Sequence, residues 1–139
     1  MSQQYIPLAL RKIVKERAKY CCEYCLVCEE DVLLAHHIDH IVAEQHGGET
    51  VLENLACACI HCNRNKGPNI ASIDLETRQL VPLFHPRTDS WHEHFKLDIA
   101  YIQPLTSIAR ATVRLLQLNQ PERIRIRQAL IAVGRYPPG

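Results

Sequence analysis

The sequence predicts a single α+β domain in which helices surround a small, cysteine-rich metal site. The chain has 139 residues, of which 47% are hydrophobic and 22% charged, and this suits one domain with one hydrophobic core. Helical and strand-like apolar patterns both occur along it. All seven cysteines lie between Cys21 and Cys62. An odd number of clustered thiols without a secretion signal favours metal binding over a disulfide framework.

The first half of the chain contains the cysteines and the shortest elements. The predicted elements are a helix over 7–19, a tight knuckle over 20–30, strands within 32–42 and 51–59, and a short helix from Cys59 to Lys66. Pro7 suits the start of the first helix, because a helix leaves its first N–H groups unpaired. His46-Gly47-Gly48 is a turn signal between the two strands.

The second half of the chain is predicted to be more irregular. The predicted elements are an irregular stretch over 68–90, a strand over 91–97, a helix over 108–118, and a helix from Pro121 to Gly134. Thr106 or Ser107 can cap the first of these helices. The segment RIRIR, residues 123–127, alternates as a strand does, so a strand is the alternative there.

We interpret residues 1–139 as one domain with a core at about 20–70 and a C-terminal extension at about 71–139. No apolar run approaches the ~20 residues of a membrane span, and the N-terminus lacks a signal-peptide pattern. We therefore expect a cytoplasmic protein without a membrane partner. We also expect a monomer or a weak dimer.

The charge is unevenly distributed. A net charge of only +1 excludes a uniformly polybasic nucleic-acid binder. Residues 101–139, however, carry six arginines and Glu122 as their single acid, and the predicted first helix is also basic. Basic segments around a more acidic centre suit a protein that holds a polyanion, although solvated helix faces explain the same pattern.

Two C-x2-C pairs predict a structural zinc site. They are Cys22 with Cys25, and Cys59 with Cys62. Each C-x2-C turn can supply two corners of a tetrahedron, so four thiolates complete the coordination and leave no position for a substrate. Cys25 and Cys28 form an alternative C-x2-C pair, and buried free cysteines are the competing interpretation.

The segment between and around these pairs resembles the HNH endonuclease family. The motifs that carry the resemblance are Cys22-x2-Cys25, Asp39-His40-Ile41, Gly47-Gly48, Asn54-Leu55, Cys59-x2-Cys62-Asn63 and Lys66-Gly67. The resemblance covers about residues 20–67. It implies a ββα-metal core, in which two strands and a helix surround one catalytic divalent cation, with a four-cysteine zinc knuckle and flanking helices. It also implies that Asn54 ties the loop together and orients the general base.

The residue types suit phosphodiester hydrolysis. A histidine with a near-neutral pKa is a good general base, so we expect His40 to deprotonate the attacking water. Asp39 is a hard oxygen ligand for Mg²⁺ or another divalent cation such as Mn²⁺ or Ni²⁺. Asn63 matches the last position of the family pattern and offers a second oxygen ligand. Two protein ligands leave positions on the cation for the phosphate.

Several cations are candidate phosphate contacts. Lys66 and Arg64 follow the second cysteine pair and could contact phosphate, and solvated surface charges are the equally supported alternative. Arg110 and Arg114 lie four residues apart, and they share a helix face that could bridge successive phosphates. Together with Arg123, Arg125 and Arg127 they form a candidate DNA-backbone clamp. The competing interpretation is that these arginines make intramolecular ion pairs.

The sequence thus predicts a metal-dependent HNH endonuclease or nickase that cleaves DNA, most naturally double-stranded DNA. The alternative is a zinc-knuckle module that binds nucleic acid or protein without catalysis. The set Asp39, His40 and Asn63 favours the enzyme, because a binding module has no use for all three.

Overall fold

The computed structural model describes residues 5–139, which form five helices and three two-stranded antiparallel sheets. The helices are α1 (Leu8–Arg17), α2 (Ile60–Lys66), α3 (Trp91–His94), α4 (Ser107–Leu116) and α5 (Pro121–Ala132). The strands are β1 (His37–His40), β2 (Leu55–Ala58), β3 (Ala71–Asp74), β4 (Gln79–Pro82), β5 (Phe95–Asp98) and β6 (Tyr101–Pro104). Each odd-numbered strand pairs with the next strand along the chain.

Four of the helices confirm sequence predictions. α1, α2, α4 and α5 lie within or close to the predicted segments. The side chain of Thr106 caps α4 by accepting a hydrogen bond from the N–H of Ala109. The strand alternative for 123–127 is wrong: Arg123 and Arg127 are four residues apart on α5 and both are buried. The two-residue alternation therefore does not mark a strand, and the exposed Arg125 lies between the two buried arginines on the helix.

The first sheet is shorter than predicted. β1 and β2 pair in register from His37 opposite Ala58 to His40 opposite Leu55. Residues 32–36 lie outside the strand because the N–H of His36 donates instead to the carboxylate of Glu29. A 3₁₀ turn at Leu52–Asn54 precedes β2. One residue, Cys59, separates β2 from α2, so two strands and a helix form one continuous unit.

The C-terminal extension contains more regular structure than predicted. The segment 68–90, predicted to be irregular, contains the hairpin β3–β4. Asp74 stabilises its turn by accepting hydrogen bonds from the N–H of Glu76 and the hydroxyl of Thr77. The predicted strand 91–97 is a helical turn followed by β5, which pairs with β6. The extension has four strands and three helices, so the prediction of one strand and two helices is wrong in both counts.

Two apolar clusters hold these elements together. The larger cluster includes the four cysteines of the two C-x2-C pairs, Tyr24 beside them, and Phe84, Phe95 and Leu116 of the extension. The smaller one packs Val14 of α1 against Leu55 and Cys57 of β2. In the part of the chain described, no helix has both the length and the apolarity that a membrane span requires.

Candidate active site and metal centre

The four cysteines of the two C-x2-C pairs meet in the core. Their Sγ atoms all lie within 4.8 Å of one another, and all four residues are buried. The Sγ atoms of Cys25 and Cys59 are 3.7 Å apart. Zinc–sulfur bonds of about 2.3 Å in a tetrahedron place the sulfurs about 3.8 Å apart. The cluster therefore fits a structural metal ion such as zinc.

Local backbone geometry places these sulfurs. Sγ of Cys22 accepts hydrogen bonds from the backbone N–H groups of Tyr24 and Cys25, each at 3.4 Å. Sγ of Cys59 accepts one from the N–H of Cys62, also at 3.4 Å, in the first turn of α2. Such bonds disperse the negative charge of thiolates. Each C-x2-C turn thus stabilises its own ligands.

The three remaining cysteines have other roles. Cys21 and Cys28 face each other across an isolated antiparallel bridge and form a disulfide. The argument against a disulfide framework therefore fails for this one pair, and the alternative ligand pair of Cys25 and Cys28 is excluded. Cys57 is a free thiol, and burial raises its pKa to about 12. It is a small apolar residue of the core.

A cleft of about 540 Å³ contains the predicted catalytic residues. Asp39 and His40 of β1 and Asn63 of α2 all line it. The three come together because β1 is antiparallel to β2, and β2 leads directly into α2. Oxygen donors from Asp39 and Asn63 are of the kind that a hard divalent cation prefers. Within residues 5–139 the four cysteines are the one cluster of three or more His, Cys, Asp or Glu ligand atoms.

Asp39 is buried within a hydrogen-bonded network. Its carboxylate lies 3.1 Å from Nζ of Lys66 and accepts a hydrogen bond of 3.1 Å from the hydroxyl of Tyr24. Burial raises the pKa of Asp39, and the charge of Lys66 opposes this shift. A carboxylate has about four acceptor positions, so oxygen lone pairs remain for a cation.

His40 and Asn54 shape the loop that follows β1. Nε2 of His40 is 3.0 Å from the hydroxyl oxygen of Thr50. The side chain of Asn54 accepts a hydrogen bond from the N–H of Val42 and donates to the carbonyls of Val42 and Glu49, each at 2.9 Å. A Cβ on Gly48 would lie 1.7 Å from the carbonyl oxygen of Val42, so only glycine fits there. The side chain of Asn54 therefore links Val42, before the Gly47-Gly48 turn, to Glu49, after it, and holds the loop closed.

Comparison with known families identifies this part of the chain. Residues 22–69 match the family model described as HNH endonuclease. The resemblance noted in the sequence is thereby confirmed over that segment, hereafter the HNH segment. It contains both cysteine pairs, β1, β2 and α2, and it supports nuclease-type activity and metal binding. No curated protein and no solved structure matches the chain.

Outside the HNH segment, the proposed DNA clamp is wrong for Arg123 and Arg127, which are buried, and a third arginine of the clamp is ion-paired. Arg110 forms ion pairs with Asp74 and Glu76. Arg127 is buried and donates to the carbonyl of Ala100 and the side chain of Asn119. For Arg110 the competing interpretation of an intramolecular ion pair applies, because the hairpin β3–β4 brings Asp74 and Glu76 to α4. Arg114 and Arg125 remain exposed.

Arg123 contacts the cysteine cluster and is not available to a DNA phosphate. It is 5% exposed, and its Nη2 lies 2.9 Å from Sγ of Cys62. Its Nη1 donates to the carbonyl of Leu116 at 2.7 Å. The thiolates around it raise the pKa of Arg123 despite its burial, which alone would lower that pKa. A permanent positive charge thus stands beside the sulfurs of the HNH segment.

Within the HNH segment, sequence reasoning misplaced one residue and missed two. Lys66, expected at the DNA surface, is 2% exposed and contacts Asp39 and the carbonyl of His40. Arg64 of the same helix is exposed, as expected for a surface cation. Tyr24 and Thr50 were not predicted. Tyr24 lies between Cys22 and Cys25 in the sequence, and this position indicated that its side chain would lie near the cysteine cluster. Nothing in the sequence distinguishes Thr50.

Proposed function

We propose that this protein is a metal-dependent endonuclease or nickase that hydrolyses phosphodiester bonds of double-stranded DNA. One observation carries the proposal: Asp39, His40 and Asn63 line one cleft inside a segment that matches the HNH endonuclease family. We take the two strands and helix around this cleft as a ββα-metal core, and residues 1–139 as a single domain acting as a monomer or weak dimer.

His40 is the proposed general base. It takes a proton from a water molecule, whose oxygen attacks the phosphorus atom and breaks the bond to the leaving alkoxide oxygen. The leaving oxygen is protonated by solvent. Nε2 of His40 contacts Thr50, which holds the imidazole ring and directs its other nitrogen to the water. Asn54 keeps the loop that carries Thr50 closed.

Asp39 and Asn63 are the proposed ligands of a catalytic divalent cation. Mg²⁺ is our first choice, with Mn²⁺ or Ni²⁺ as alternatives. Such a cation supplies stabilisation of the negative charge that builds up on the phosphate and the leaving oxygen. Lys66 holds the carboxylate of Asp39 ionised in its buried position. The four cysteines hold zinc, which has a structural role.

Plasmid nicking tests the proposal. Supercoiled plasmid is incubated with Mg²⁺, Mn²⁺ or Ni²⁺ and with the wild-type protein, His40→Ala or His92→Ala. We expect His40→Ala to lose about 100-fold or more in nicking rate, as expected for a lost general base. His92 is exposed and lies outside the cleft, so its variant should cleave as the wild type does.

Two outcomes contradict the enzymatic proposal. Equal cleavage by His40→Ala and the wild type would remove His40 from the mechanism. Absence of cleavage with every cation, combined with retained DNA or protein binding, would favour the alternative of a non-enzymatic zinc-knuckle module. The contact of Lys66 with both carboxylate oxygens of Asp39 is the observation that keeps this alternative open.

A further inference from the structure

The cleft has a second wall, formed by α1, that carries positive charge. Arg11 and Lys15 of α1 line the same cleft as the residues of β1 and α2. Four residues apart, they lie on one face of the helix, about 6 Å apart along its axis. We propose that this wall, with Arg11 as its main contact, binds the phosphate backbone of duplex DNA beside the cleavage site. The inference rests on the proposed nuclease function.

The guanidinium of Arg11 is available to an anion. Its Nε donates to the carbonyl of Ile6 at 3.0 Å, and this bond orients the group. Arg11 is exposed, and it makes no ion pair within the described residues 5–139. Among those residues neither Nη group has a hydrogen-bond partner, so both can donate to phosphate oxygens. Lys15 contributes less, because its Nζ lies 2.6 Å from the carboxylate of Glu29.

α1 is held firmly against the strands of the HNH segment. Val14 is fully buried and packs with Leu55 and Cys57. Arg17, at the end of the helix, donates to the carbonyls of Leu52 and Leu55. The position of Arg11 relative to the catalytic residues is therefore set before DNA arrives. Little free energy is then needed to order the wall on binding.

The positive charge that lines the cleft comes from α1. Among the residues that line it, the permanently charged cations are Arg11 and Lys15 and the acids are Asp39 and Glu44. Asp39 is buried and paired with Lys66. The arginines first assigned to DNA binding are in part committed elsewhere, since Arg110 and Arg123 contact Asp74 and the cysteine sulfurs. Arg11 therefore places a positive charge on the α1 side of the cleft, where a phosphate chain would lie.

A salt titration of DNA binding tests the inference. Anisotropy of a fluorescent duplex is measured without added divalent cation, in the His40→Ala background, so that the DNA stays intact. We expect Arg11→Glu to weaken binding about tenfold and to lower the slope of log affinity against log salt by about one. Arg11→Gln, which removes the charge without reversing it, should show a smaller loss.

Two further variants separate the possible outcomes. Lys96→Glu makes the same change of charge at an exposed position of β5 outside the cleft, and it should bind as the parent does. Arg114→Glu tests whether the exposed arginine of α4, from the candidate DNA-backbone clamp, contributes to binding. Normal binding by Arg11→Glu, or an equal loss in Lys96→Glu, overturns the inference while the nuclease proposal stands. Absence of DNA binding by every protein, the parent included, overturns the proposed function itself.

Discussion

Asp39 and Lys66 form an ion pair at the bottom of the candidate active site, where both side chains are nearly inaccessible to water. The pair lies at 3.1 Å, with side chains 6% and 2% exposed. Removing water from two charges costs free energy, which their attraction recovers only while both are present. Tyr24 adds a hydrogen bond to the same carboxylate. Burial of either charge is therefore tolerated only while its partner is present.

Replacement of Lys66 tests this dependence. We expect Lys66→Met to lower the free energy of unfolding by about 3–5 kcal/mol at neutral pH, because it leaves a buried carboxylate without its counter-charge. Urea unfolding followed by circular dichroism measures the change. Arg64→Met, an exposed change on the same helix, should remain within about 0.5 kcal/mol of the wild type.

A second substitution identifies the cause of that loss. Asp39→Asn in the Lys66→Met background removes the unpaired charge and should restore part of the stability. If the double variant is less stable than Lys66→Met, the electrostatic explanation is wrong and packing of the lysine stem is responsible.

At the scale of elements, buried polar contacts attach α5 both to the HNH segment and to the rest of the C-terminal extension. Arg123 joins the carbonyl of Leu116 to the sulfur of Cys62, and Arg127 joins Ala100 to Asn119. The helix presents these side chains from one face because they are four residues apart. The packing of α5 and the stability of the cysteine cluster are therefore coupled through Arg123.

A pair of substitutions on α5 measures this coupling. We expect Arg123→Met to lower zinc affinity about 10–100-fold, as for other residues that support metal ligands. Competition with a chromogenic zinc chelator measures the affinity. Arg125→Met, two residues away and exposed, should leave zinc affinity unchanged. Wild-type zinc affinity in Arg123→Met would show that the contact with sulfur does not stabilise the bound metal.

At the scale of the whole molecule, the cysteine cluster joins segments that are distant in sequence. It connects the turn at residues 22–25 with the junction of β2 and α2. The C-terminal segment adds a hydrogen bond of 2.8 Å from the hydroxyl of Tyr136 to the carbonyl of Cys25. A metal at this point stabilises most of the fold at once, by about 10 kcal/mol or more in small zinc domains.

Metal content and stability should therefore be lost together. We expect Cys22→Ser to lose stoichiometric zinc and cooperative thermal unfolding, since three thiolates and a hydroxyl bind zinc poorly. Elemental analysis and calorimetry measure the two properties. Cys57→Ala changes an equally buried cysteine outside the cluster and should keep both. Stoichiometric zinc in a folded Cys22→Ser protein would contradict the assignment of the metal ligands.

Prediction from sequence worked where the signal is local. The C-x2-C turns and the helix capped at Thr106 both depend on neighbouring residues. Prediction was wrong where the outcome depends on partners from other elements. The segment 68–90 has weak strand patterns, and it forms a hairpin that α4 packs against.

The sequence by itself determined the cysteine ligand pairs, the HNH segment and the residues proposed for catalysis, because spacing within a few residues decides which side chains a turn or strand can present. Only the tertiary structure decided the partners of the charged groups. It buried Lys66 against Asp39, placed Arg123 beside the sulfur of Cys62, and left Arg11 facing the cleft. The physical reason is that ion pairing depends on distance in space, and the packing of α1, α4 and α5 sets those distances.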